Sequence, residues 1–391
     1  MRLTRLALED FRSYPAAELR PDPGLTIVAG PNGAGKTNLL EAIAVAVTGR
    51  SHRAGTDAEM VRHGQPFGRV RLDLAAADGR ETARVELLLP AEDAPPEIRK
   101  RLLLNGLPRR PATIGETVRA VLFRPEEMLL LVGAPSERRR FLDAILGQRE
   151  RGAARDLLEL ARILAQRNAL LRAIRREESP VDGLAFWDEQ LATVGARVMA
   201  ARIALVSELA ATIPTLHDAV APAEEVGEQV RLSYADTLKD AWPERGVGSG
   251  APVPAELAEA FRRRIRAVRE KELWNGASLV GPQRDDLRVE LGGREVATHA
   301  SRGQQRTIIL ALKLAETDLL AAGGAPTPIV LLDDVFSELD AGRSERVLRL
   351  LLERGQVLVT MADLASLPGG RRGVSVWQVG EGRLFQAPQV A

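Results

Sequence analysis

A glycine-rich run near the start of the chain, residues 30–37 with the sequence Gly-Pro-Asn-Gly-Ala-Gly-Lys-Thr, carries the residue types that bind phosphate. The apolar residues 25–29 before it predict a buried strand, and the residues after it predict a helix. In that setting backbone N–H groups point at phosphates, and Lys36 adds a positive charge. A chance glycine-rich turn is the simpler alternative, which the flanking strand and helix disfavour. The run predicts an ATP-binding phosphate loop, with contacts from Gly30, Asn32, Gly33, Gly35, Lys36 and Thr37.

A second apolar stretch, residues 328–332, ends in a pair of carboxylates, Asp333 and Asp334. Its continuous hydrophobicity predicts a central strand that is covered on both faces. We expect Asp333 and the Thr37 hydroxyl to bind Mg²⁺, because this ion prefers oxygen ligands. Asp334 is the better candidate for a catalytic residue that polarises the attacking water. A solvated loop after a strand is the simpler alternative, and the doubled aspartate disfavours it.

Ahead of this acidic strand lies a serine-led run, residues 301–306 with the sequence Ser-Arg-Gly-Gln-Gln-Arg. Ser301 and Gln304 have capping-box spacing, so we expect a helix that starts here and ends at Gly323-Gly324. One interpretation is an ordinary capped helix. The other is that this helix N-terminus, with its small Ser301 and Gly303, approaches the γ-phosphate of ATP bound to a second subunit. We expect both to hold, with Ser301, Gly303 and Gln304 as nucleotide contacts and Ser301 also as a catalytic residue.

The phosphate loop and the acidic strand end are widely separated in the sequence, and the Ser301 run accompanies the second of them. This arrangement is typical of ATPases in which two subunits close around ATP. The sequence therefore predicts a homodimer that forms with ATP, in addition to the ligand itself.

The composition favours a cytoplasmic enzyme. The 391 residues include no cysteine, which excludes disulfides and thiolate metal sites. No stretch is expected to span a membrane and no signal peptide is expected, so we predict no membrane partner. The net charge of +1 gives no global attraction to nucleic acid.

The chain divides by pattern into three segments. Residues 1–135 mix strands and turns around the phosphate loop, residues 136–275 are mostly helical, and residues 276–391 return to a sheet. Alternating apolar residues on either side of Asp78-Gly79 predict a hairpin, and residues 246–254 predict a flexible connector. The expected domains are the two halves of an ATPase head with a helical lobe between them, too short for a long coiled coil.

Two arginine-rich clusters are candidates for DNA contact. Residues 136–178 hold eleven arginines against seven acids, and residues 262–266 hold four arginines. Solvated helix faces with internal ion pairs are an equally good interpretation, and Arg138-Arg139-Arg140 could instead tie the lobe to the head. Aromatic residues form only 4% of the chain, which favours contacts with the DNA backbone over base stacking.

Several short motifs together give the chain a specific resemblance. Up to about residue 363 it resembles the RecF family of bacterial DNA replication and repair proteins, which are relatives of the SMC-type ATPases. The resemblance implies an α/β fold: an ABC-type P-loop ATPase head with an inserted helical lobe. Besides the phosphate loop, the Ser301 run and the acidic motif at residues 333–340, the motifs are Asp10-Phe11-Arg12-Ser13-Tyr14, Gly49-Arg50-Ser51-His52-Arg53, Phe123-Arg124-Pro125-Glu126, Arg138-Arg139-Arg140-Phe141-Leu142-Asp143 and Gly281-Pro282-Gln283-Arg284-Asp285-Asp286.

The same resemblance implies a role in recombinational repair and replication-fork maintenance. It implies slow ATP hydrolysis, action at single-strand gaps, RecR and RecO as partners, and RecA loading as the outcome. It also favours Arg53 as a nucleotide contact. Two positions depart from the family pattern, since Gln283 replaces the usual histidine and Met361 a usual threonine. Two other functions stay open: the ATPase subunit of a membrane transporter, and a nucleotide-gated scaffold with little turnover.

Overall fold

The computed structural model describes residues 1–76, 79–221, 229–238, 253–364, 367, 374–380 and 382–387. The chain forms two compact units. The first consists of Met1–Glu127, Ala219–Ala221 and Leu310–Ala391, and the second of Met128–Asp218 and Pro222–Ile309. The domains 1–135, 136–275 and 276–391, which were expected from the sequence pattern, stay a prediction.

The elements follow one another along the chain as strands, then helices, then strands again. The N-terminal elements are β1 (Arg2–Phe11), β2 (Tyr14–Leu19), β3 (Leu25–Ala29), α1 (Lys36–Thr48), β4 (Phe67–Ala75), β5 (Glu81–Pro90), β6 (Arg101–Leu104), β7 (Leu107–Pro108), α2 (Pro111–Ile114) and β8 (Ala120–Phe123). The middle elements are α3 (Leu129–Val132), α4 (Pro135–Arg149), α5 (Arg151–Arg175), α6 (Leu184–Val220), β9 (Val230–Ala235), α7 (Pro254–Asn275), β10 (Asp286–Leu291), β11 (Arg294–Glu295) and α8 (Val296–His299). The C-terminal elements are α9 (Arg302–Ala321), β12 (Ile329–Asp333), α10 (Ala341–Leu352), β13 (Val357–Met361), β14 (Ser375–Gly380) and β15 (Arg383–Gln386).

An antiparallel sheet in the first unit has the strand order β2-β1-β4-β5-β6-β7. The predicted hairpin is confirmed as β4 and β5, in which Leu72 pairs with Val85 and Val70 with Leu87. These four side chains are fully buried, as their alternation with polar residues requires of a half-buried strand. Asp78, at the predicted turn, lies outside the described residues.

The second sheet of this unit has the order β15-β14-β3-β13-β12-β8 and brings the two predicted ligand-binding motifs to one edge. Strands β3, β13, β12 and β8 run parallel to one another. Every residue of β12 is buried, as expected for a central strand. Because the carboxyl ends of parallel strands share an edge, the loops that follow β3 and β12 emerge together there. Helix α1 shares one apolar core with both sheets.

The second unit is built mainly from helices. Residues of α5, α6 and α7 form a single apolar core that includes Leu160, Leu191 and Phe261. Helix α5 ends at Arg175 and α6 begins at Leu184, and Ser179-Pro180 lies in the break between them. Helix α6, with 37 residues, is about 55 Å long at a rise of about 1.5 Å per residue, which agrees with a short lobe. A three-stranded sheet of order β11-β10-β9 completes the unit.

One helical stretch, residues 181–220, is long and apolar enough to cross a membrane by length and composition. The expectation that no stretch would qualify was therefore wrong. Apolar side chains of this stretch, among them Leu191, Val194 and Val198, are buried in the core of the second unit, where they pack against α7. A core helix of a folded lobe can be as long and as apolar as a membrane span, because its apolar side chains are buried inside the lobe. Most of the predicted connector, residues 246–254, lies outside the described residues.

Candidate nucleotide-binding site

The phosphate loop joins β3 to the N-terminus of α1, where a helix presents unpaired backbone N–H groups. Gly35 adopts a left-handed conformation with φ of 108°, and a Cβ atom there would lie 2.7 Å from the Ser13 hydroxyl oxygen. The Tyr14 hydroxyl donates to the Gly35 carbonyl over 3.0 Å. A Cβ on Gly30 would meet the Val379 carbonyl at 2.6 Å. The loop thus depends on glycine both for its turn and for its close approach to neighbouring chain.

Lys36 turns back onto its own loop. Its Nζ donates to the carbonyl oxygens of Gly30 and Pro31 at 2.8 and 3.0 Å, and the residue is buried. Burial lowers the pKa of Lys36, and the nearby charges of Asp334 and Asp333 partly offset this effect. The cation therefore lies within electrostatic reach of the acidic strand end.

Asp333 connects the acidic strand end to the phosphate loop. The Thr37 hydroxyl donates to Asp333 Oδ1 over 3.0 Å, although the two residues are 296 positions apart. On the other side, the Thr360 hydroxyl in β13 donates to the same oxygen over 2.6 Å. A hydroxyl and a carboxylate at this spacing suit Mg²⁺, which usually takes one or two protein ligands and completes its shell with water and phosphate oxygens. Among the described residues no cluster of three or more acids or histidines competes for the metal.

Asp334 has an unusual backbone for a residue that is not glycine. Its φ is 51°, in the left-handed region, and its N–H donates to the Thr360 carbonyl and hydroxyl, each over 3.1 Å. Residues other than glycine rarely adopt this region, although Asp does so more readily than most, and they are often found there at functional sites.

A buried carboxylate on α1 holds the loop that carries Arg53. Glu41 accepts two hydrogen bonds from Arg12, at 2.9 and 2.8 Å, and one from Ser51 at 2.5 Å. Burial would raise the pKa of Glu41, but the bonds from Arg12 and Ser51 outweigh it and hold that pKa below its usual value. Arg53 donates to the Asn38 side-chain oxygen over 3.2 Å. The predicted contact Arg53 is thereby placed beside the first turn of α1.

His52 lies in the same loop and is largely enclosed. Burial, together with the positive charge of Arg124, lowers the pKa of His52 to about 4. Its Nε2 atom is buried and has no hydrogen-bond partner among the described residues. The imidazole is therefore neutral at physiological pH.

The Ser301 run belongs to the second compact unit and starts α9 as predicted. Ser301 Oγ accepts from the Gln304 N–H over 3.2 Å, and Gln304 Oε1 accepts from the Ser301 N–H over 2.8 Å. This reciprocal pair is a capping box, so the helix-start prediction is confirmed. Ser301 and Gly303 are both exposed. The capped helix and a phosphate-approaching N-terminus are compatible with this geometry, and the nucleotide role of these residues stays a prediction.

The arginine clusters are largely engaged within the second unit. Arg138 forms a bidentate pair with Asp286 at 2.7 and 2.8 Å, and Arg139 donates to the Asp285 carbonyl at 2.9 Å. In the second cluster Arg262 forms a bidentate pair with Glu189 at 2.8 and 2.7 Å. These arginines have structural partners, so their selection as DNA contacts gains no support from the fold.

Sequence patterns alone missed Thr360 and Glu41 as site residues. Thr360 precedes Met361, which is one of the two departures from the family pattern. The Met361 side chain is buried, and its carbonyl accepts a hydrogen bond from the Gly30 N–H over 3.3 Å. Met361 therefore supports the loop through its backbone. At the other departure, Gln283 donates to the Val280 carbonyl over 2.8 Å in the second unit.

The fold and the site define a class of protein, a P-loop ATPase head of the ABC type. Its phosphate loop and its acidic strand end are far apart in the sequence but lie at one edge of the same sheet. The family model for the RecF/RecN/SMC N-terminal domain matches residues 2–382. The DNA replication and repair protein RecF of Roseiflexus castenholzii is 36% identical over 411 residues, covering 99% of this chain and 100% of the relative. RecF of Kineococcus radiotolerans is 39% identical over 389 residues, covering 95% and 96%. The chain belongs to the RecF family of DNA replication and repair proteins.

Solved structures give the same result. The chain is similar to a structure described as the recombination mediator protein RecF-ATPrS in the RecFOR pathway, with a TM-score of 0.86 and 27% identity. That match covers 99% of this chain and 98% of the other. An SMC head bound to the C-terminal winged-helix domain of ScpA has a TM-score of 0.54 at 14% identity, covering 99% and 97%, and shows a shared fold alone.

Proposed function

We propose that this protein is an ATP-dependent, dimerising DNA-binding ATPase that acts in recombinational repair. The observation that carries the proposal is the contact between Thr37 and Asp333 at 3.0 Å, with Lys36 and Asp334 close by. It joins a phosphate-binding loop to a carboxylate in the geometry that a magnesium–nucleotide site needs. The relatives that are solved with ATP and ATPrS support ATP as the ligand.

In this proposal each residue of the first unit has a separate task. Lys36 leaves the Gly30 and Pro31 carbonyls and bonds the β- and γ-phosphates, while backbone N–H groups of the loop, among residues 32–37, surround them. Thr37 and Asp333 hold Mg²⁺, which when bound neutralises charge on the phosphates. Asp334 accepts a hydrogen bond from the attacking water and orients it. Arg53 contacts the nucleotide from its place beside Asn38.

The site is completed by a second copy of the chain. Its Ser301 motif, with Gly303 and Gln304, brings the N-terminus of α9 to the γ-phosphate, where the helix dipole favours negative charge. ATP then links two subunits, and hydrolysis releases them. Because Ser301 and Gly303 are exposed, no rearrangement of the capping box is needed for the approach.

In the cell, we place this cycle in the cytoplasm, at single-strand gaps and stalled replication forks. The closed dimer would hold DNA there and, with RecR and RecO, promote RecA loading. The relatives named DNA replication and repair protein RecF, and the solved RecF described as part of the RecFOR pathway, support this assignment.

DNA binding by the purified protein with ATP, with ADP and without nucleotide, at several salt concentrations, tests the proposal. We expect binding that ATP stimulates and that weakens as salt increases, because phosphate contacts release counterions. Indifference to DNA in all three nucleotide states would contradict the repair function and favour a transporter ATPase. ATP-stimulated DNA binding without measurable phosphate release would instead identify a nucleotide-gated scaffold.

A further inference from the structure

The turn between β1 and β2 lies against the phosphate loop, and the proposed function gives it no task. Residues 10–14 there form one of the motifs behind the family resemblance. Phe11 pairs with Tyr14 across the turn, so Arg12 and Ser13 are its two central residues. The φ of Arg12 is 53°, in the left-handed region that residues other than glycine rarely adopt. Such a conformation persists where surrounding contacts hold it, and it is often found at functional sites.

Arg12 anchors this turn to its surroundings. Its guanidinium donates to both carboxylate oxygens of the buried Glu41 in α1, at 2.9 and 2.8 Å, and to the Glu59 carbonyl at 2.7 Å. Its own N–H donates to the Met60 carbonyl over 2.8 Å. The turn is therefore fixed to α1, which is the helix that directly follows the phosphate loop.

Tyr14 reaches the phosphate loop from inside the core of the first unit. Its ring is fully buried among apolar side chains, and its hydroxyl donates to the Gly35 carbonyl over 3.0 Å. That carbonyl is the sole hydrogen-bond partner of the hydroxyl among the described residues, and it also accepts from the Asn38 N–H over 3.0 Å. Burial raises the pKa of Tyr14 well above its ordinary value, so the phenol keeps its proton and remains a donor at neutral pH.

The peptide group between Gly35 and Lys36 is the part of the loop that Tyr14 controls. Gly35 has a φ of 108°, and a Cβ atom there would lie 2.7 Å from Ser13 Oγ, so the residue has no side chain that would restrict rotation of this peptide. In a trans peptide the carbonyl and the following N–H point in opposite directions. With the Gly35 carbonyl directed at Tyr14, the Lys36 N–H is directed away from it. This N–H lies in the first turn of α1, where backbone donors have no intrahelical partner.

A reversed orientation of this peptide would have two consequences. It would place a carbonyl oxygen, with its partial negative charge, where the Lys36 N–H now lies. It would also leave the Tyr14 hydroxyl buried without a partner, which is unfavourable for any hydroxyl. A tyrosine with a purely structural role needs only some acceptor, whereas here the acceptor belongs to the phosphate loop itself. The hydroxyl therefore favours the orientation that presents an N–H donor.

We propose that Tyr14 is a positioning residue for the nucleotide, because its hydroxyl holds the Gly35–Lys36 peptide with the Lys36 N–H facing the phosphates. Tyr14 acts through the loop and contacts neither the nucleotide nor the metal. Arg12 holds the turn that aims Tyr14 at the loop. This inference rests on the proposed function and deepens it, since it gives residues 10–14 a task in phosphate binding.

Tyr14→Phe tests the inference in the full-length protein, because it removes the hydroxyl and keeps the ring. Loss of one hydrogen bond predicts that the dissociation constants of fluorescent ATP and ADP analogues both rise, by about 3- to 10-fold. In steady-state phosphate release KM should rise by a similar factor while kcat is unchanged, because saturating ATP selects the competent orientation of the peptide. Partial unfolding would instead lower kcat and leave KM unchanged.

The second of the two tyrosines in the chain supplies a matched control. The Tyr234 hydroxyl, in the second unit, also donates to a buried acceptor, Asp285 Oδ2, over 2.8 Å. Tyr234→Phe should lower the midpoint of thermal unfolding and leave both nucleotide affinities unchanged. In a further variant, 4-aminophenylalanine at position 14 keeps an N–H donor on the ring and should restore the affinity that Tyr14→Phe loses.

The outcomes separate this inference from the function on which it rests. If the wild-type protein binds neither ATP nor ADP, both fail. If the wild-type protein binds both nucleotides and Tyr14→Phe binds them equally well, only the role of Tyr14 is overturned. A lower kcat at unchanged KM in Tyr14→Phe, an equal loss of affinity in Tyr234→Phe, or no recovery with 4-aminophenylalanine also overturns it.

Discussion

Lys36 shows how a single residue can serve both the free loop and the bound nucleotide. Its ammonium group now bonds two carbonyls of its own loop, which compensates for burial of the charge. A phosphate would offer stronger, charge-assisted bonds to the same group. The residue is therefore poised to exchange partners without leaving its place in the loop.

The first prediction follows from this exchange. Lys36→Ala should weaken ATP binding by about 10- to 150-fold, because a hydrogen bond to a charged group contributes roughly 1.5–3 kcal/mol. Lys36→Arg should bind ATP measurably but turn it over poorly, since a planar guanidinium does not replace a point charge. Titration with a fluorescent ATP analogue measures both.

Lys100→Ala is the control for this measurement, because Lys100 bonds the Gly49 carbonyl at the opposite end of α1. It should keep wild-type affinity for the nucleotide. Wild-type affinity in Lys36→Ala would show that the loop binds no phosphate through this residue.

Much of the residue-level site could be predicted from sequence because its chemistry is local. The phosphate loop has its glycines, lysine and threonine within eight positions, and their spacing alone indicates a ligand. Thr360 could not be found in this way. Its bond to Asp333 arises from the pairing of β12 with β13, in which these two residues are opposite each other. Strand pairing between distant segments has no short-range sequence signature.

At the scale of elements, Asp285 links the short sheet of the second unit to the turn after β9. Its carboxylate is fully buried and accepts from the Tyr234 hydroxyl at 2.8 Å and from the Thr237 N–H and hydroxyl at 2.9 and 2.8 Å. Burial raises the pKa of Asp285 to about 7, although the bonds from Tyr234 and Thr237 act in the opposite direction. The folded protein therefore holds this proton more tightly than the unfolded chain does.

The second prediction is a pH dependence with a definite sign. An acid whose pKa is raised on folding contributes stability at low pH, and this contribution is lost as pH rises from about 4 to about 7. Asp285→Asn resembles the protonated acid and cannot ionise. Its stability deficit relative to wild type should therefore shrink across this range, by up to about 4 kcal/mol.

Urea unfolding of both proteins at a series of pH values measures this difference. A gap between wild type and Asp285→Asn that stays constant from pH 4 to pH 7, or that widens, would show that Asp285 is ionised throughout.

Elements with local signals were the most predictable. The capping box at Ser301 and the hairpin of β4 and β5 have signals in short stretches of sequence, and both formed as expected. The partners of charged residues were not encoded in this way. Arg138 meets Asp286 across 148 positions of sequence, so composition could not separate a structural arginine from a free one.

At the scale of the whole molecule, the family resemblance supplied the fold, and the structure supplied the distribution of charge. Counts of arginines and aromatic residues do not distinguish the paired side chains of a cluster from the unpaired ones. In the second unit, however, some arginines are held by acids while Arg155 and Arg162 are not, and the most exposed large apolar side chain among the described residues is Trp274. Binding by a surface depends on where its exposed charged and aromatic side chains lie, and composition does not give these positions.

The proposed function requires that ATP joins two subunits through the Ser301 motif. Sedimentation velocity with ATP and Mg²⁺ tests it most directly in an Asp334→Asn background, in which hydrolysis should be blocked and the dimer should accumulate. Adding Ser301→Arg places a bulky side chain at the N-terminus of α9, and this double variant should bind ATP but stay monomeric. Asp334→Asn with Ser301→Ala controls for loss of the helix cap, about 1 kcal/mol of stability, and should still dimerise to a reduced extent.

We expect a dimer peak for Asp334→Asn that requires ATP and disappears when Ser301→Arg is added, with nucleotide binding intact in both. Dimerisation of the Ser301→Arg double variant to the same extent as Asp334→Asn alone would contradict it, as would an Asp334→Asn protein that binds ATP and remains monomeric.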